Sequence, residues 1–413
     1  MEIIRPAFAD HPLPILSHGI PFPEAAARHV VNTLQARRVY VICSRSLAEK
    51  TSIPDELGRV FRTNSISMVG RRIGMKPHTL FSEVLDIAAG VRTCEADVFL
   101  TIGGGTLTDG AKAVVLALAN KARTFEDLIS LVQRQEDGSN TELESSEPCI
   151  PIISVPTTLS AAEYSSIAGA TNDLTHYKHV FQSPSPSLVI LDPQLAASTT
   201  PGSIWLSTGI RAVDHCVETF CGIQGTTEAS DSLALAGLAK LIPGLLRCAR
   251  DPDGKDLDAR LSCQLGSVDA MGACSSKGVE MGASHGIGHQ LGPLGVGHGD
   301  TSCILLPAVC KYNARHGANN EKQARLCEFL LEQPGVPDLL QSRGLLKEKV
   351  NLCDVLDAII RALGLPRSLS EVGVSRGQLD ELATNSLHDR WCATNPVPLV
   401  DKGQVLEILE MVI

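Results

Sequence analysis

The sequence lacks several features that mark whole classes of protein. No segment concentrates lysine and arginine, and the 413-residue chain carries a formal net charge of -10. A nucleic-acid partner is therefore not expected, because phosphate binding needs clustered positive charge. No apolar run approaches the ~20 residues that cross a bilayer, and the start MEIIRPAFADHPLP has no basic region followed by an apolar core. We expect a cytoplasmic protein that binds small molecules and no membrane.

Paired cysteines and repeats are also missing. The thirteen cysteines are odd in number and form no CxxC pair, and most of them lie in apolar runs. This pattern favours reduced thiols that pack as small hydrophobic groups over a disulfide framework. The 35 glycines and 23 prolines are spread along the chain, and a composition of 44% hydrophobic and 20% charged residues is typical of a globular protein.

The chain is long enough for more than one domain, since a prior of ~150 residues per domain suggests two or three. Four near-continuous apolar runs in the first half predict strands at 38–43, 97–103, 151–158 and 187–193. Their alternation with helical patterns predicts a parallel sheet covered on both faces. From Pro201 onward helical spacing dominates, so we expect an α/β domain over 1–200 and an all-helical domain over 201–413. The polar segment 133–148 is predicted to be a surface loop after a helix.

One glycine-rich stretch predicts a phosphate loop. FLTIGGGTLTDGAKAVVLAL (99–118) joins a buried strand, three glycines and a helix. Glycines let the backbone approach a pyrophosphate, and a helix N-terminus offers free N–H groups, although a plain tight turn has the same pattern. Asp109 and Lys112 lie one turn into the helix, where they reach a ligand or brace the loop. The predicted cofactor-binding residues here are Gly103, Gly104, Gly105, Thr106, Asp109 and Lys112.

A second loop also follows a strand and is rich in hydroxyl groups. Within VPTTLSAAEYSSIAGATN (155–172), we predict that Thr157, Thr158 and Ser160 bind phosphate or ribose. An ordinary turn capped by Ser or Thr is the alternative.

Five motifs follow one another in a fixed order along the chain. They are GGGTLTDGAK (103–112), PTT (156–158), Asp192–Pro193, TGIRAVDHCVE (208–218) and HGIGHQLGPLGVGHG (285–299). Over about residues 12 to 315 this order resembles the iron-containing (group III) alcohol dehydrogenase superfamily, and the second loop resembles maleylacetate reductases in particular.

The resemblance implies a fold and a class of reaction. The fold is the dehydroquinate synthase-like fold of group III alcohol dehydrogenases, with an N-terminal α/β dinucleotide-binding domain, a C-terminal all-α domain and an active-site cleft between them. The family interconverts carbonyls and alcohols with NAD(H) or NADP(H), and its members commonly form homodimers.

The resemblance also implies a metal site, and this sequence departs from it. In the iron enzymes one Asp and three His bind the metal; by motif position the histidines are His215, His285 and His298, whereas Arg211 occupies the Asp position. His289 matches a histidine near the nicotinamide that is not a ligand.

We predict that no metal is bound. Arg211 and His215 share a helix face, and Asp214 lies about 100° away around the helix, so it is not expected to replace the missing acid. Three neutral histidines with a guanidinium carry the same net charge as three histidines with an aspartate and a divalent cation. Maleylacetate reductases, which work without a metal as a family, also lack the acid. The alternative is an exposed Arg211 paired with Asp214 or Glu218.

The end of the strand at 38–43 bears on the choice of cofactor. An NAD-specific enzyme has an acid here that bonds the ribose hydroxyls, whereas this chain has Ser44 and Arg45. A hydroxyl beside a guanidinium can hold a 2′-phosphate, so we predict that NADPH is accepted at least as well as NADH. The alternative is that Arg45 is a solvated loop residue.

The leading hypothesis is therefore a metal-independent NAD(P)H-dependent reductase of activated carbonyls such as keto acids or enones. Arg211 would hold the developing oxyanion or a substrate carboxylate, and His289 or His285 would deliver the proton. A lyase, isomerase or cyclase of secondary metabolism that uses the same Arg and His residues is the alternative. A non-catalytic binding protein is a third hypothesis. The predicted catalytic set is Arg211, His215, His285, His289 and His298.

Overall fold

The computed structural model describes residues 1–76, 79–136, 150–175 and 177–413. The chain folds into two compact units, Met1–Thr199 and Thr200–Ile413. The predicted surface loop at 133–148 starts within a helix that ends at Glu136, and the rest of that loop lies outside the described residues.

A seven-stranded sheet forms the centre of the first unit. Its strands are β1 (Ile3–Phe8), β2 (His11–His18), β3 (Arg38–Cys43), β4 (Ser67–Ile73), β5 (Val98–Gly103), β6 (Ile152–Pro156) and β9 (Leu188–Leu191). Their order is β1-β2-β9-β6-β5-β3-β4, in which β1 runs antiparallel to β2 and the other neighbours are parallel. A separate antiparallel hairpin consists of β7 (Ile167–Thr171) and β8 (Lys178–Gln182). The four predicted strands are confirmed as β3, β5, β6 and β9.

Helices cover both faces of this sheet, which explains the continuous apolar runs of its central strands. They are α1 (Phe22–Asn32), α2 (Arg45–Lys50), α3 (Ile53–Thr63), α4 (Phe81–Cys94), α5 (Gly105–Ala119), α6 (Phe125–Glu136) and α7 (Pro193–Thr199). Successive residues of β3 enter opposite cores: Val39 and Val41 pack with α1 and α3, and Tyr40 and Ile42 pack with α4 and α5. The carboxyl ends of β3, β4, β5 and β6 therefore share one edge of the sheet, where ligands bind in open α/β sheets.

The second unit is all helical apart from its loops. Its α-helices are α8 (Gly202–Cys221), α9 (Glu228–Ala249), α10 (Leu257–Cys274), α11 (Ala283–Leu291), α12 (His298–Arg315), α13 (Asn320–Leu331), α14 (Val336–Ser342), α15 (Leu352–Ala362), α16 (Leu379–Ser386), α17 (Arg390–Ala393) and α18 (Lys402–Glu410). The predicted fold class, an α/β domain followed by an all-α domain, is confirmed.

Helix α9 is longer and more apolar than the sequence analysis allowed. By length and composition it is the one helix in the described residues that could cross a membrane, and half of its apolar window is buried within the protein. It packs against α8 and α10 at glycines: a Cβ at Gly237 would lie 2.8 Å from Cys216 Sγ, and one at Gly244 would lie 2.6 Å from Cys263 Sγ. Its apolar composition therefore serves close helix packing in the second unit.

Candidate active site

Helix α8 carries a buried cluster of charged and polar side chains. Arg211 lies about one turn before the adjacent residues Asp214 and His215, and Glu218 lies about one turn after them, so all four face one side of the helix. The side chain of Arg211 is 12% exposed, and that of Asp214 is fully buried. The alternative of an exposed helix arginine is therefore wrong, although the contact that it proposed between Arg211 and Asp214 is present, at 3.7 Å.

One of the two carboxylate oxygens of Asp214 is surrounded by hydrogen-bond donors, and the other, Oδ1, is buried without a partner in the described residues. Its Oδ2 accepts hydrogen bonds from Ser284 Oγ (2.9 Å) and Ser302 Oγ (2.6 Å), and Arg211 Nη1 donates to the same Ser302 hydroxyl oxygen (3.2 Å). Burial raises the pKa of Asp214, and the positive charge of Arg211 opposes this rise. The prediction that Asp214 does not replace the missing acid as a ligand is not tested by these contacts, but its charge comparison left out Asp214 and Glu218, which belong to the cluster. That comparison considered α8 alone, whereas the serines come from α11 and α12.

Glu218 caps the next helix of the site. Its Oε2 accepts a hydrogen bond from the backbone N–H of Gly282 (2.9 Å), and its Oε1 accepts one from the N–H of Ser284 (2.8 Å). These are two of the free N–H groups at the start of α11, so an acid is favoured here. A Cβ at Gly282 would lie 2.9 Å from Oε1, which explains the glycine. Glu218 Oε2 also lies 2.8 Å from His285 Nδ1, and the contact fixes the orientation of that imidazole.

Two histidines stack within this cluster. The ring centroids of His215 and His285 lie 4.9 Å apart, at an interplanar angle of 29°. Burial, together with the charge of Arg211, lowers the pKa of His215 to about 3. Burial also lowers the pKa of His285 well below its ordinary value. Both rings are therefore neutral near pH 7, and His285 Nε2 is buried with no hydrogen-bond partner among the described residues.

One turn beyond His285, His289 has a different environment. Its side chain is 34% exposed, and its Nδ1 lies 2.8 Å from Asp389 Oδ2. The Trp391 ring lies 5.0 Å from the His289 ring and 5.6 Å from the His285 ring. Sequence analysis missed Asp389 and Trp391. Two features of the sequence could have drawn attention to them: Asp389 caps a short helix, and Trp391 is one of only two tryptophans in the chain.

His298 is exposed at the first residue of α12, beside the N-cap Gly297. Its ring lies near Gly292, where an added Cβ would be 4.0 Å from Cε1. The charge of a protonated His298 contributes to lowering the pKa of His285. The structure therefore places His215, His285, His289 and His298 in one region, and their catalytic roles stay predictions.

One group of side chains in the described residues has the donor types of a metal site. Ligand atoms of Asp214, Glu218 and His285 lie within 4.8 Å of one another. Asp214 Oδ2, both oxygens of Glu218 and His285 Nδ1 already take part in hydrogen bonds, whereas Asp214 Oδ1 and His285 Nε2 have no partner in the described residues. Arg211 lies 3.7 Å from the Asp214 carboxylate, so a divalent cation here would sit beside a fixed positive charge. The family's own ligand set is incomplete here, because Arg211 stands where that set has an acid.

The predicted phosphate loop and the hydroxyl-rich loop lie side by side in the first unit. Gly103 ends β5 beside the end of β6, and its carbonyl accepts a hydrogen bond from the N–H of Thr157 (3.0 Å). In the second loop Thr158 Oγ1 and Ser160 Oγ share a hydrogen bond of 3.0 Å. The structure therefore brings the predicted cofactor-binding residues of both loops together.

Geometry explains two of the three glycines of the phosphate loop, Gly103 and Gly105. Gly103 has a φ of +151°, and a Cβ there would lie 2.6 Å from Leu107 Cδ1. Gly104 is the N-cap of α5, and a Cβ at Gly105 would lie 3.1 Å from Ala162 Cβ. The backbone at the start of α5 is therefore free of bulky side chains, as close approach of a phosphate requires.

Lys112 braces the two loops. Its side chain is fully buried, and Nζ donates to the carbonyl oxygens of Ala162 (2.9 Å), Ser165 (3.2 Å) and Ile167. Nζ also lies 2.9 Å from Asp109 Oδ1. Of the two roles that the sequence left open for Lys112, these contacts show the bracing role. The prediction that Lys112 contacts the cofactor directly is not supported by these hydrogen bonds and stays a prediction.

A cavity of about 890 Å³ opens at the carboxyl ends of β3, β4 and β5. Four predicted cofactor-binding residues line it: Ser44, Arg45, Gly104 and Thr106. Sequence analysis missed Arg71, Arg72 and Lys76, which also line it because they lie at or just after the carboxyl end of β4. Arg72 is paired with Glu83 and Asp86, at 2.9 Å each. Arg45 and Arg71 have no ion-pair partner in the described part of the chain, so the cavity suits an anionic ligand.

Fold and motifs together define a two-domain enzyme of the iron-containing alcohol dehydrogenase class. The family model for iron-containing alcohol dehydrogenase matches residues 20–193, and the model for the C-terminal domain of the Fe-containing alcohol dehydrogenase family matches residues 205–413. The chain belongs to this family and is an oxidoreductase, which confirms the resemblance and the predicted class of enzyme.

Individual relatives agree with this assignment. The chain is 40% identical over 416 residues to dehydrogenase FUM7 of Gibberella moniliformis, with 96% of each chain covered. It is 36% identical over 398 residues to dehydrogenase ALT3 of Alternaria alternata, covering 90% of this chain and 98% of the relative. The crystal structure of maleylacetate reductase from Agrobacterium tumefaciens has a TM-score of 0.73 at 21% identity, covering 96% of this chain and 95% of the other.

Proposed function

We propose that this protein is an NAD(P)H-dependent reductase that acts on an activated carbonyl, such as a keto acid or an enone, without a bound metal. The observation that carries the proposal is Arg211, whose largely buried guanidinium stands at the family's Asp position and contacts Asp214 and Ser302. The dehydrogenase relatives and the structural similarity to maleylacetate reductase support the redox chemistry.

Charge and hydrogen bonding support metal independence. Arg211 already supplies a positive charge beside the Asp214 carboxylate, so a divalent cation would add repulsion in a poorly solvated site. Donors from α11 and α12 already bond both oxygens of Glu218 and one oxygen of Asp214, including the Ser284 hydroxyl. Asp214 Oδ1 has no hydrogen-bond partner in the described residues, and the Arg211 guanidinium lies beside that carboxylate.

In the proposed reaction, bound NAD(P)H would supply a hydride to the carbonyl carbon and leave as NAD(P)⁺. The carbonyl oxygen would take a proton from a histidine, so that the product is the alcohol. Arg211 Nη1 donates to Ser302, and no other hydrogen bond from its guanidinium is made in the described residues. The remaining N–H groups are available to a substrate oxyanion or carboxylate. A guanidinium polarises a carbonyl less than a metal does, so an activated substrate is required.

The cavity at the end of β3 supports the proposal that NADPH is accepted at least as well as NADH. Arg45 and Arg71 bring to it two guanidinium groups that have no ion-pair partner among the described residues, and Ser44 adds a hydroxyl. A 2′-phosphate would pair with such groups, and bidentate guanidinium contacts to phosphate are among the stronger hydrogen bonds.

The test is titration of the purified protein with NADH and NADPH, followed by assays of NAD(P)H oxidation with a keto acid, an enone and a simple aldehyde. We expect binding of both nucleotides and turnover of the first two substrates in the presence of a chelator. Failure to bind either nucleotide would refute the reductase proposal. Turnover of plain alcohols that depends on added iron or zinc would refute the metal-independent mechanism.

A non-redox lyase, isomerase or cyclase is the second candidate, and Arg211 is again the observation that favours it. The Arg211, Asp214 and His285 network holds groups that could support acid/base chemistry without hydride transfer. Conversion of substrate with no net oxidation of NAD(P)H would identify this case. A non-catalytic binding protein is less well supported, because both loops of the nucleotide site are assembled.

We also propose a homodimer in the cytoplasm. Strand β1 is an edge strand, and Ile3 and Ile4 on it are 51% and 53% exposed, which suits pairing with a second copy. Every cysteine in the described residues is a free thiol, which suits a reducing compartment. Sedimentation velocity on the wild type and on Ile4→Lys tests the dimer: the variant should shift toward the monomer.

A further inference from the structure

The structure separates the two histidines that were candidates for proton delivery. His285 is buried, and its Nδ1 contacts the carboxylate of Glu218, which itself caps α11. A proton lost from His285 would have to be replaced through a buried network. His289 lies on the same face of α11 one turn later, and its side chain is 34% exposed. His289 can therefore exchange protons with solvent between turnovers.

Asp389 controls the orientation of His289. Its Oδ2 lies 2.8 Å from His289 Nδ1, and its Oδ1 accepts a hydrogen bond from the N–H of Trp391 (3.0 Å) as the cap of α17. Each carboxylate oxygen thus has its own donor, so the carboxylate cannot rotate freely. An acceptor fixed at Nδ1 favours the imidazole tautomer that carries its proton on Nδ1 and leaves Nε2 for the reaction.

Trp391 fixes the imidazole from a second direction. Its ring lies 5.0 Å from the His289 ring at an interplanar angle of 38°. The indole is held in turn, because its Nε1 donates to Glu280 Oε2 (3.2 Å). One short segment, Asp389 to Trp391, therefore sets both the tautomer and the plane of His289.

We propose that Asp389 is a positioning residue for proton delivery by His289, an inference that rests on the reductase function proposed above. With Nδ1–H bonded to Asp389, the His289 imidazolium donates its Nε2 proton to the substrate oxygen as hydride from NAD(P)H forms the C–H bond. The products are the alcohol, NAD(P)⁺ and a neutral His289 that carries its proton on Nδ1. Solvent then returns a proton to Nε2.

The two roles of Asp389 can be tested separately. Asp389→Asn keeps an oxygen that can accept from the N–H of Trp391, but it removes the charge and offers an amide N–H to His289. We expect kcat to fall about 10- to 100-fold, which is less than the roughly 10²- to 10⁴-fold that a general acid contributes, because His289 itself is retained. The nucleotide Kd and the melting temperature should be little changed. Asp401→Asn is the matched control: Asp401 caps α18 through the N–H of Gln404 (3.0 Å), away from these histidines, so kcat should be unchanged.

A double-mutant cycle and a tautomer measurement complete the test. In a His289→Gln background, Asp389→Asn should cause no further loss of kcat, because it acts through His289. ¹⁵N NMR of histidine-labelled protein, assigned with His289→Gln, should show the His289 proton on Nδ1 in the wild type and on Nε2 in Asp389→Asn. Unchanged kcat in Asp389→Asn, an equal further loss in the His289→Gln background, or an unchanged tautomer would overturn the proposal. If the wild type does not oxidise NAD(P)H, the reductase function fails, and the tautomer measurement still decides whether Asp389 positions His289.

Discussion

Replacing Arg211 by aspartate should convert the site from one that a guanidinium neutralises to one that needs a cation. The change removes the positive charge 3.7 Å from the fully buried Asp214 and adds a carboxylate beside it. Two like charges ~4 Å apart repel by about 4 kcal/mol at an effective dielectric constant of ~20. Loss of one partner from a buried ion pair costs about 3–5 kcal/mol. We therefore expect Arg211→Asp without metal to be less stable than the wild type by several kcal/mol.

A divalent cation should reverse much of this loss, because it would bind the folded state of the variant. At a free metal concentration of 100 times Kd, such binding stabilises a protein by about 2.7 kcal/mol. The assay is thermal unfolding of the wild type, Arg211→Asp and Arg211→Ala, each with a chelator and with Zn²⁺ or Fe²⁺. Only Arg211→Asp should gain stability from the metal, and both variants should lose the native reaction. If the wild type gains as much stability as Arg211→Asp, the reasoning about charge at this position is refuted.

Three further predictions concern the α/β domain. Arg45→Ala should weaken NADPH binding by about tenfold and NADH binding much less, since a surface guanidinium–phosphate contact contributes on the order of 1–2 kcal/mol. Nucleotide titration measures both affinities. If NADPH and NADH bind equally well and the substitution changes neither affinity, Arg45 has no role. Burial raises the pKa of Glu163 from 4.5 to about 7, so the folded state holds a proton that the unfolded chain loses, and stability should fall as pH rises from 4.5 to 7. Glu163→Gln should remove this pH dependence and, at pH 8, raise the free energy of unfolding measured in urea by on the order of 1–3 kcal/mol. If the free energies of unfolding of the two proteins change with pH in parallel, Glu163 is ionised when folded. Lys112→Met should leave several carbonyl groups and the Asp109 carboxylate without their donor, and so lower the free energy of unfolding by about 3–5 kcal/mol. A decrease below about 1 kcal/mol in urea unfolding would contradict the bracing role.

The strands that sequence analysis found and missed differ in burial. Strands β3, β5, β6 and β9 are buried on both faces, so their apolar runs are continuous. Strands β1 and β4 lie at the two edges of the sheet and are largely exposed or half-buried, so polar residues interrupt them. Because β4 was missed, so were Arg71, near the end of this strand, and Lys76, just after it, which both line the nucleotide cavity.

Within the helical domain, spacing predicted contacts along one helix and missed those between helices. The interval of four residues placed Arg211 with His215 on α8, and His285 with His289 on α11. The hydrogen bonds to Asp214 come from serines on two other helices, and no local sequence pattern predicts such contacts. The partner of His289 is a hundred residues further along the chain, so only the fold brings Asp389 to it.

The metal content of the purified wild-type protein tests the central claim most directly. Elemental analysis should be paired with an assay of NADPH oxidation with a keto acid before and after chelation. We predict no stoichiometric iron or zinc and the same rate in both samples. One tightly held metal per subunit, whose removal abolishes turnover and whose return restores it, would contradict metal independence. Asp214, Glu218 and His285 would then be the first ligands to examine.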